Sequence, residues 1–85
     1  MKIKEGYLLK SIAGEHVIVP IKKGAIKSVM TLNETGALLF ERFAEGCDKE
    51  EAVTALLDAY DIDKDIAMRD VDGFINMLID AGLFE

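Results

Sequence analysis

The 85-residue sequence has no tryptophan, one proline, one cysteine and one histidine. The lone cysteine, Cys47, excludes a disulfide within the chain and fits a reducing compartment. With His16 as the only histidine, the sequence offers no paired ligands for a structural zinc site. No uncharged apolar run approaches the ~20 residues that span a bilayer, and no apolar stretch of signal-peptide length follows the N-terminus. These absences predict a cytoplasmic protein without a membrane span.

Positive charge is scarce as well. The chain has 10 basic and 16 acidic residues, a formal net charge of −6. Such a chain repels phosphate backbones unless its few cations are clustered. The lysines nearest to a cluster, Lys10, Lys22, Lys23 and Lys27, are typical of a solvated rim that protects an edge strand. Nucleic acid is therefore not an expected partner.

No catalytic or cofactor motif stands out. Asp61, Asp63 and Asp65, with Asp72 at the twelfth position, have the spacing of a calcium loop, but Ile66 replaces the glycine needed at the sixth. Acidic caps at a helix start explain these residues better. A glycine-rich phosphate loop and a nucleophile elbow are both absent. A Cys47–His16 nucleophile pair would require the fold to bring two separate elements together. The sequence predicts a protein that is not an enzyme, with no metal and no cofactor.

The composition, 51% hydrophobic, and the length predict one globular domain over residues 1–85.

The first third of the chain has strand character. Two β-rich runs, YLLKSI and HVIVPI, flank a turn at residues 13–15 and predict a hairpin. After a turn at residues 22–25, residues 26–31 predict a third strand. In such a meander the third strand has one sheet neighbour, so its other edge is unpaired.

The remainder predicts three helices. Asn33 is the expected N-cap of the first helix, and Asp48 with Glu51 forms a capping box for the second. Asp63 is the expected cap of a third helix over residues 64–81, and Gly82 is its left-handed stop. Segregated strands and helices predict an α+β domain, a three-stranded antiparallel sheet followed by three helices.

The third helix has an unusually wide apolar face. The residues that form the stripe expected against the core are Ala67, Val71, Phe74, Ile75 and Leu78. Met68 and Ile79 extend this stripe on one flank toward Asp72, to roughly 160° where ~100° suffices for a surface helix. One flank is expected to pack inward, and the other to form the wall of a groove.

Taken in order, these segments resemble the PqqD family of coenzyme PQQ synthesis proteins, over about residues 6–84. The segments that carry the resemblance are VIVPI, LNETG at residues 32–36, LLFERF, CDKEEAVTALLDAYDID and DVDGFINMLIDAGLF. The resemblance implies a winged-helix-like domain that acts as a peptide chaperone for ribosomally made, post-translationally modified peptides. It implies that the leader segment of a precursor peptide adds as a strand to the third β-strand and lies against the third helix. It also implies that a separate modifying enzyme, such as a radical SAM protein, acts in trans on the presented peptide.

The resemblance implies roles for particular residues. The backbones of Val29, Met30 and Thr31 would bond to the leader strand, because strand addition uses main-chain hydrogen bonds. Met68, Ile75 and Ile79 would form side-chain pockets on the flank that also carries Asp72. Arg69 or Lys27 would pair with acidic leader residues. The full set of expected peptide-binding residues is Lys27, Val29, Met30, Thr31, Met68, Arg69, Asp72, Ile75 and Ile79.

Three alternatives stay open at this point. Core packing is the alternative role for Met68, Ile75 and Ile79. A winged-helix DNA-binding regulator has the same element content, although Arg69 and Lys64 lie among four aspartates on the third helix. A self-associating module would use the unpaired third strand to bind a second copy, and the oligomeric state, monomer or homodimer, is open.

Overall fold

A computed structural model describes residues 1–21 and 30–84 of the chain. The strands are β1 (Tyr7–Ile12), β2 (Glu15–Pro20) and β3 (Met30–Leu32), and the helices are α1 (Glu34–Glu45), α2 (Lys49–Ala59) and α3 (Lys64–Asp80). The strands form one antiparallel sheet in the order β1-β2-β3. The expected α+β class, with a three-stranded sheet followed by three helices, is confirmed.

The β1–β2 turn is tighter than the sequence indicated. Ala13 and Gly14 both have positive φ, 52° and 82°. Two consecutive residues of this kind form the two-residue turn whose twist matches a hairpin. Glu15, expected in the turn, is already the first residue of β2 and pairs with Ile12.

Only part of the third expected strand can be compared with the structure. Residues 26–29, and the turn expected at residues 22–25, lie outside the described residues. The described strand runs from Met30 to Leu32, one residue beyond the expected end at Thr31. Within the described chain β3 pairs with β2 alone, so its other edge has no strand partner there. This agrees with the expected open edge.

Local capping fixes where α1 and α2 begin. The Asn33 side chain accepts a hydrogen bond from the Gly36 N–H at 2.8 Å. Asp48 accepts from the Glu51 N–H at 2.7 Å while the Glu51 carboxylate accepts from the Asp48 N–H at 3.1 Å. Both predicted caps are confirmed. Asp63 occupies the N-cap position of α3, but its side chain makes no capping hydrogen bond.

The end of α3 is set by Gly82, whose φ is 74°. The Leu83 N–H donates to the Leu78 carbonyl at 2.9 Å, and the Gly82 N–H donates to the Ile79 carbonyl at 3.0 Å. This pair of bonds is the Schellman arrangement, which satisfies carbonyls left over at a helix end. The helix ends at Asp80, so Ala81, expected inside it, is the C-cap. No described helix is long and apolar enough to cross a membrane.

The core contains residues from all three helices and from β2 and β3. Phe43 of α1 is fully buried, with its ring centroid 6.2 Å from that of Phe74 and 5.5 Å from that of Phe84. Ile18 of β2 is also fully buried. All five residues of the predicted α3 stripe are buried, which confirms that face: Ala67, Val71, Phe74, Ile75 and Leu78. This packing fixes the rotation of α3 and therefore decides what its two flanks face.

Candidate functional site

An open groove of about 380 Å³ separates β3 from α3. It is called the β3–α3 groove below. Its lining residues are Thr31, Leu32, Asn33, Thr35, Gly36, Leu39, Arg69, Asp70, Gly73, Phe74 and Met77. Because β3 has an unpaired edge in the described chain, a hollow with an apolar floor and a row of backbone donors and acceptors lie side by side.

The floor of the β3–α3 groove is apolar and rigidly packed. Leu32, Leu39 and Phe74 line it and also belong to the core cluster, with exposures of 7%, 1% and 7%. Core residues of this kind hold one arrangement, because protein interiors pack as densely as organic crystals. A ligand in the groove would therefore meet a preformed surface.

The wall on the α3 side comes from one flank of that helix. Arg69, Asp70, Gly73 and Met77 line it, spaced so that they recur along the same side at 100° per residue. Arg69 and Asp70 place one charge of each sign at the rim, and both are exposed. Within residues 1–21 and 30–84, Arg69 has no salt-bridge partner. Its guanidinium is available for an acidic group on a ligand.

The third side of the groove is the start of α1, which closely approaches the end of β3. Thr35 donates from its hydroxyl to the Asn33 side-chain oxygen at 3.0 Å, so this cap is doubly bonded. At Gly36 an added Cβ would lie 3.3 Å from the Leu32 Cβ. A side chain at position 36 would therefore crowd Leu32, and glycine relieves this crowding where α1 approaches β3.

Of the residues expected from the sequence to bind a peptide, two line this groove. They are Thr31 on β3 and Arg69 on α3. Met30 lies in the same short strand and is half-buried. Lys27 and Val29 lie outside the described residues.

The other four expected residues have different neighbours. Met68 lines a second hollow, between α2 and α3, together with Val53 and Leu57. The Asp72 carboxylate forms a salt bridge with Lys49 of α2. Ile75 is buried in the core, and Ile79 is 55% exposed. None of the four is among the residues that line the β3–α3 groove.

On α3, outside its buried stripe, three groove residues were not anticipated from the sequence as binding residues, namely Asp70, Gly73 and Met77. Their spacing of three and four residues was a usable signal, since it places them on one side of a helix. Of these three residues only Met77 has a large apolar side chain, whereas Met68 and Ile79 on the opposite flank are both large and apolar. Hydropathy therefore favoured the flank that the fold turns toward α2.

His16 and Cys47 interact with different residues, each close to it in the sequence. His16 Nδ1 is 2.9 Å from the Ser11 hydroxyl across the hairpin. Burial raises the pKa of the Cys47 thiol above its ordinary value, and the Glu51 carboxylate raises it further. Little thiolate is then present at neutral pH, whereas reactive cysteines have a lowered pKa. Among the described residues no three His, Cys, Asp or Glu side chains are grouped so that they could hold a metal ion.

Comparison with known proteins gives a family match and two similar folds. The model of the family described as coenzyme PQQ synthesis protein D (PqqD) matches residues 15–83. No curated protein sequence matches the chain. A solved structure of TbiB1 in complex with the TbiA(beta) leader peptide superposes with a TM-score of 0.78 at 27% identity, covering 100% of this chain and 95% of that one.

A second solved structure is lasso peptide synthetase B1 complexed with the leader peptide. It superposes with a TM-score of 0.74 at 20% identity, covering 96% of this chain and 93% of that one. At this identity the similarity shows the fold alone.

Proposed function

Because the chain belongs to the PqqD family, whose model matches residues 15–83 of its 85, we propose that it binds the leader segment of a ribosomally made precursor peptide. The peptide would lie in the β3–α3 groove and be presented to a modifying enzyme. The observation that carries this proposal is the combination of the open β3 edge with the apolar groove beside it.

Strand addition fits the β3 edge. Beyond β2, no described strand pairs with β3, so half of the backbone donors and acceptors of this short strand point away from the sheet. A peptide that pairs with this edge gains hydrogen bonds that do not depend on its sequence. Met30 and Thr31 of β3 would supply them, and Val29 remains a further candidate.

Side-chain contacts on the α3 side would give selectivity. A strand paired with β3 lies about 4.8 Å from it, with alternate side chains directed to opposite faces. One set of these side chains would meet the floor formed by Leu32, Leu39 and Phe74. Met77 supplies an adaptable apolar wall, and Arg69 would pair with an acidic peptide residue.

The structure of TbiB1 supports the peptide class, since it was solved with a leader peptide bound. For this chain a modifying enzyme, of the radical SAM class or similar, would act in trans. The cytoplasm is the proposed compartment, because ribosomally made precursor peptides are produced there. Binding, rather than catalysis, is the proposed role.

The test compares two methionines on opposite flanks of α3. Met68 and Met77 are nine residues apart, which at 100° per residue places them on opposite sides of the helix. A displayed library of random peptides, each long enough to add one strand of about six residues, is selected on the wild-type domain. Affinity for the selected peptides is then measured by fluorescence anisotropy for wild type, Met68→Glu and Met77→Glu. Thermal unfolding of each variant establishes that it is folded.

Loss of binding of about tenfold or more in folded Met77→Glu, with Met68→Glu unchanged, would support the β3–α3 groove. The reverse pattern would move the peptide to the α2 side of α3, where Met68 and Asp72 lie. If neither variant changes the affinity, or if no peptide is selected, peptide binding on α3 is contradicted.

Self-association through β3 is a rival use of the same edge. A second copy paired there would bury the groove that the peptide requires, so the two functions compete. Light scattering on the free domain and on the peptide complex separates them. A dimer that persists with peptide bound would contradict use of the β3 edge by the peptide.

A further inference from the structure

Gly73 is a groove residue of α3, and no contact within the described chain explains why it is glycine. It lies in the interior of α3, where glycine destabilises a helix by about 1 kcal/mol relative to alanine. Its φ is not in the left-handed region, so alanine can adopt the same backbone. A Cβ built on it would meet no described atom within 4 Å outside its own segment of helix.

The second helical glycine of the groove shows the contrast. At Gly36 an added Cβ would lie 3.0 Å from the Asn33 Oδ1 and 3.3 Å from the Leu32 Cβ. Internal packing therefore explains Gly36. The same explanation is absent at Gly73, where the added atom would project into open space.

The open space at Gly73 belongs to the β3–α3 groove. Met77 lies one turn after Gly73 along α3 and Arg69 one turn before it, so the missing side chain leaves a gap between two long ones. Phe74 and Leu39, both buried, lie in the floor of the same groove. The gap is a place where a ligand side chain can approach the helix backbone and reach apolar atoms below.

We infer that Gly73 is a specificity-determining residue that admits a bulky apolar side chain of the bound peptide. This inference rests on the proposed function and adds the substrate class to it. The peptide is a strand in which one large apolar residue is directed toward α3 and enters the gap between Arg69 and Met77. A Cβ at position 73 fills part of the gap, and a larger side chain closes it.

The experiment measures stability and affinity for the same variants. The probes are the displayed-library peptides selected on the wild-type domain, and the variants are Gly73→Ala and Gly73→Leu. The matched control is Asn76→Ala, at an exposed position of α3 outside the groove lining, where alanine also favours the helix. Thermal unfolding and fluorescence anisotropy are recorded for all four proteins.

Gly73→Ala and Asn76→Ala should both raise the melting temperature. Gly73→Ala should weaken peptide binding by about tenfold, the usual effect of one misfitting methylene in an apolar pocket, while Asn76→Ala should leave it unchanged. Gly73→Leu should abolish binding. A library reselected on Gly73→Ala should yield a smaller residue at the position where wild type selects a large apolar one.

Unchanged affinity in Gly73→Ala would overturn the inference. If Met77→Glu still weakens binding of those peptides, the proposed function stands and only the role of Gly73 fails. If wild type selects no peptide at all, the proposed function fails and this inference fails with it.

Discussion

At the scale of single residues, two helix caps differ in whether the cap side chain makes a hydrogen bond. Asp48 and Asp63 are both aspartates at N-cap positions, before α2 and α3 respectively. Asp48 makes a reciprocal capping box with Glu51, whereas Asp63 makes no side-chain capping bond. Comparing the two positions therefore distinguishes the stability that comes from the capping hydrogen bonds from the stability that comes from a carboxylate near the helix dipole.

We expect Asp48→Ala to lower the free energy of unfolding by about 1 kcal/mol, because the Glu51 N–H loses its side-chain acceptor at the start of α2. Asp63→Ala should lower it by about 0.3 kcal/mol, the dipole contribution alone. Urea denaturation followed by circular dichroism measures both. Equal losses would mean that the capping box of Asp48 contributes nothing in solution.

At the scale of elements, the groove depends on how α1 and α3 are held against the sheet. The start of α1 reaches the end of β3 because Gly36 has no side chain and Asn33 caps the helix at the same point. On α3, the buried stripe turns one flank toward α2, where Lys49 pairs with Asp72, and the opposite flank toward β3. The approach of α1 to β3 defines one wall of the groove, and the packing of the α3 stripe in the core defines the other.

Gly36→Ala should lower the free energy of unfolding by about 1 kcal/mol, because overpacking against Leu32 exceeds the gain in helix propensity. The same change should weaken peptide binding, since Leu32 lies at the end of β3 and in the groove floor. Chemical denaturation and peptide titration of this variant test both expectations. Increased stability with unchanged affinity would show that Leu32 moves aside freely, and would contradict the role given to this contact.

At the scale of the whole molecule, net charge separates peptide binding from DNA binding. The formal charge of −6 disfavours approach to a polyanion, and α3 carries Asp65, Asp70, Asp72 and Asp80 against Lys64 and Arg69. Binding in a groove with an apolar floor and one charge of each sign at its rim depends on burial of apolar surface, which added salt affects little.

Peptide affinity should therefore change by no more than about threefold between about 50 mM and 200 mM salt, as expected for a single screened ion pair. A DNA-binding domain that contacts six to ten phosphates would lose about 10³–10⁵ in affinity over the same range. Anisotropy titrations with a selected peptide and with a labelled DNA duplex, at several salt concentrations, measure how each affinity depends on salt. Tight DNA binding with a steep salt dependence would favour the winged-helix regulator.

Features that depend on neighbouring residues were determined by the sequence itself. The order of strands and helices, the caps at Asn33 and Asp48, and the stop at Gly82 each depend on residues within a few positions of one another. The buried stripe of α3 was also readable, since hydrophobic spacing at the helical period marks the face that leaves water. The family resemblance added the function, because it rests on the order and spacing of these same segments.

Only the tertiary structure decided which flank of α3 forms the groove. Helical periodicity gives the angles between residues, but not the direction in which the helix as a whole is rotated relative to β3. That rotation is set by buried contacts between residues far apart in the chain, such as the stacking of Phe43 on Phe74. These contacts turn Met68 toward α2 and Gly73 and Met77 toward β3. The more apolar flank therefore faces away from the groove, since packing across the whole domain overrides the hydropathy of one helix.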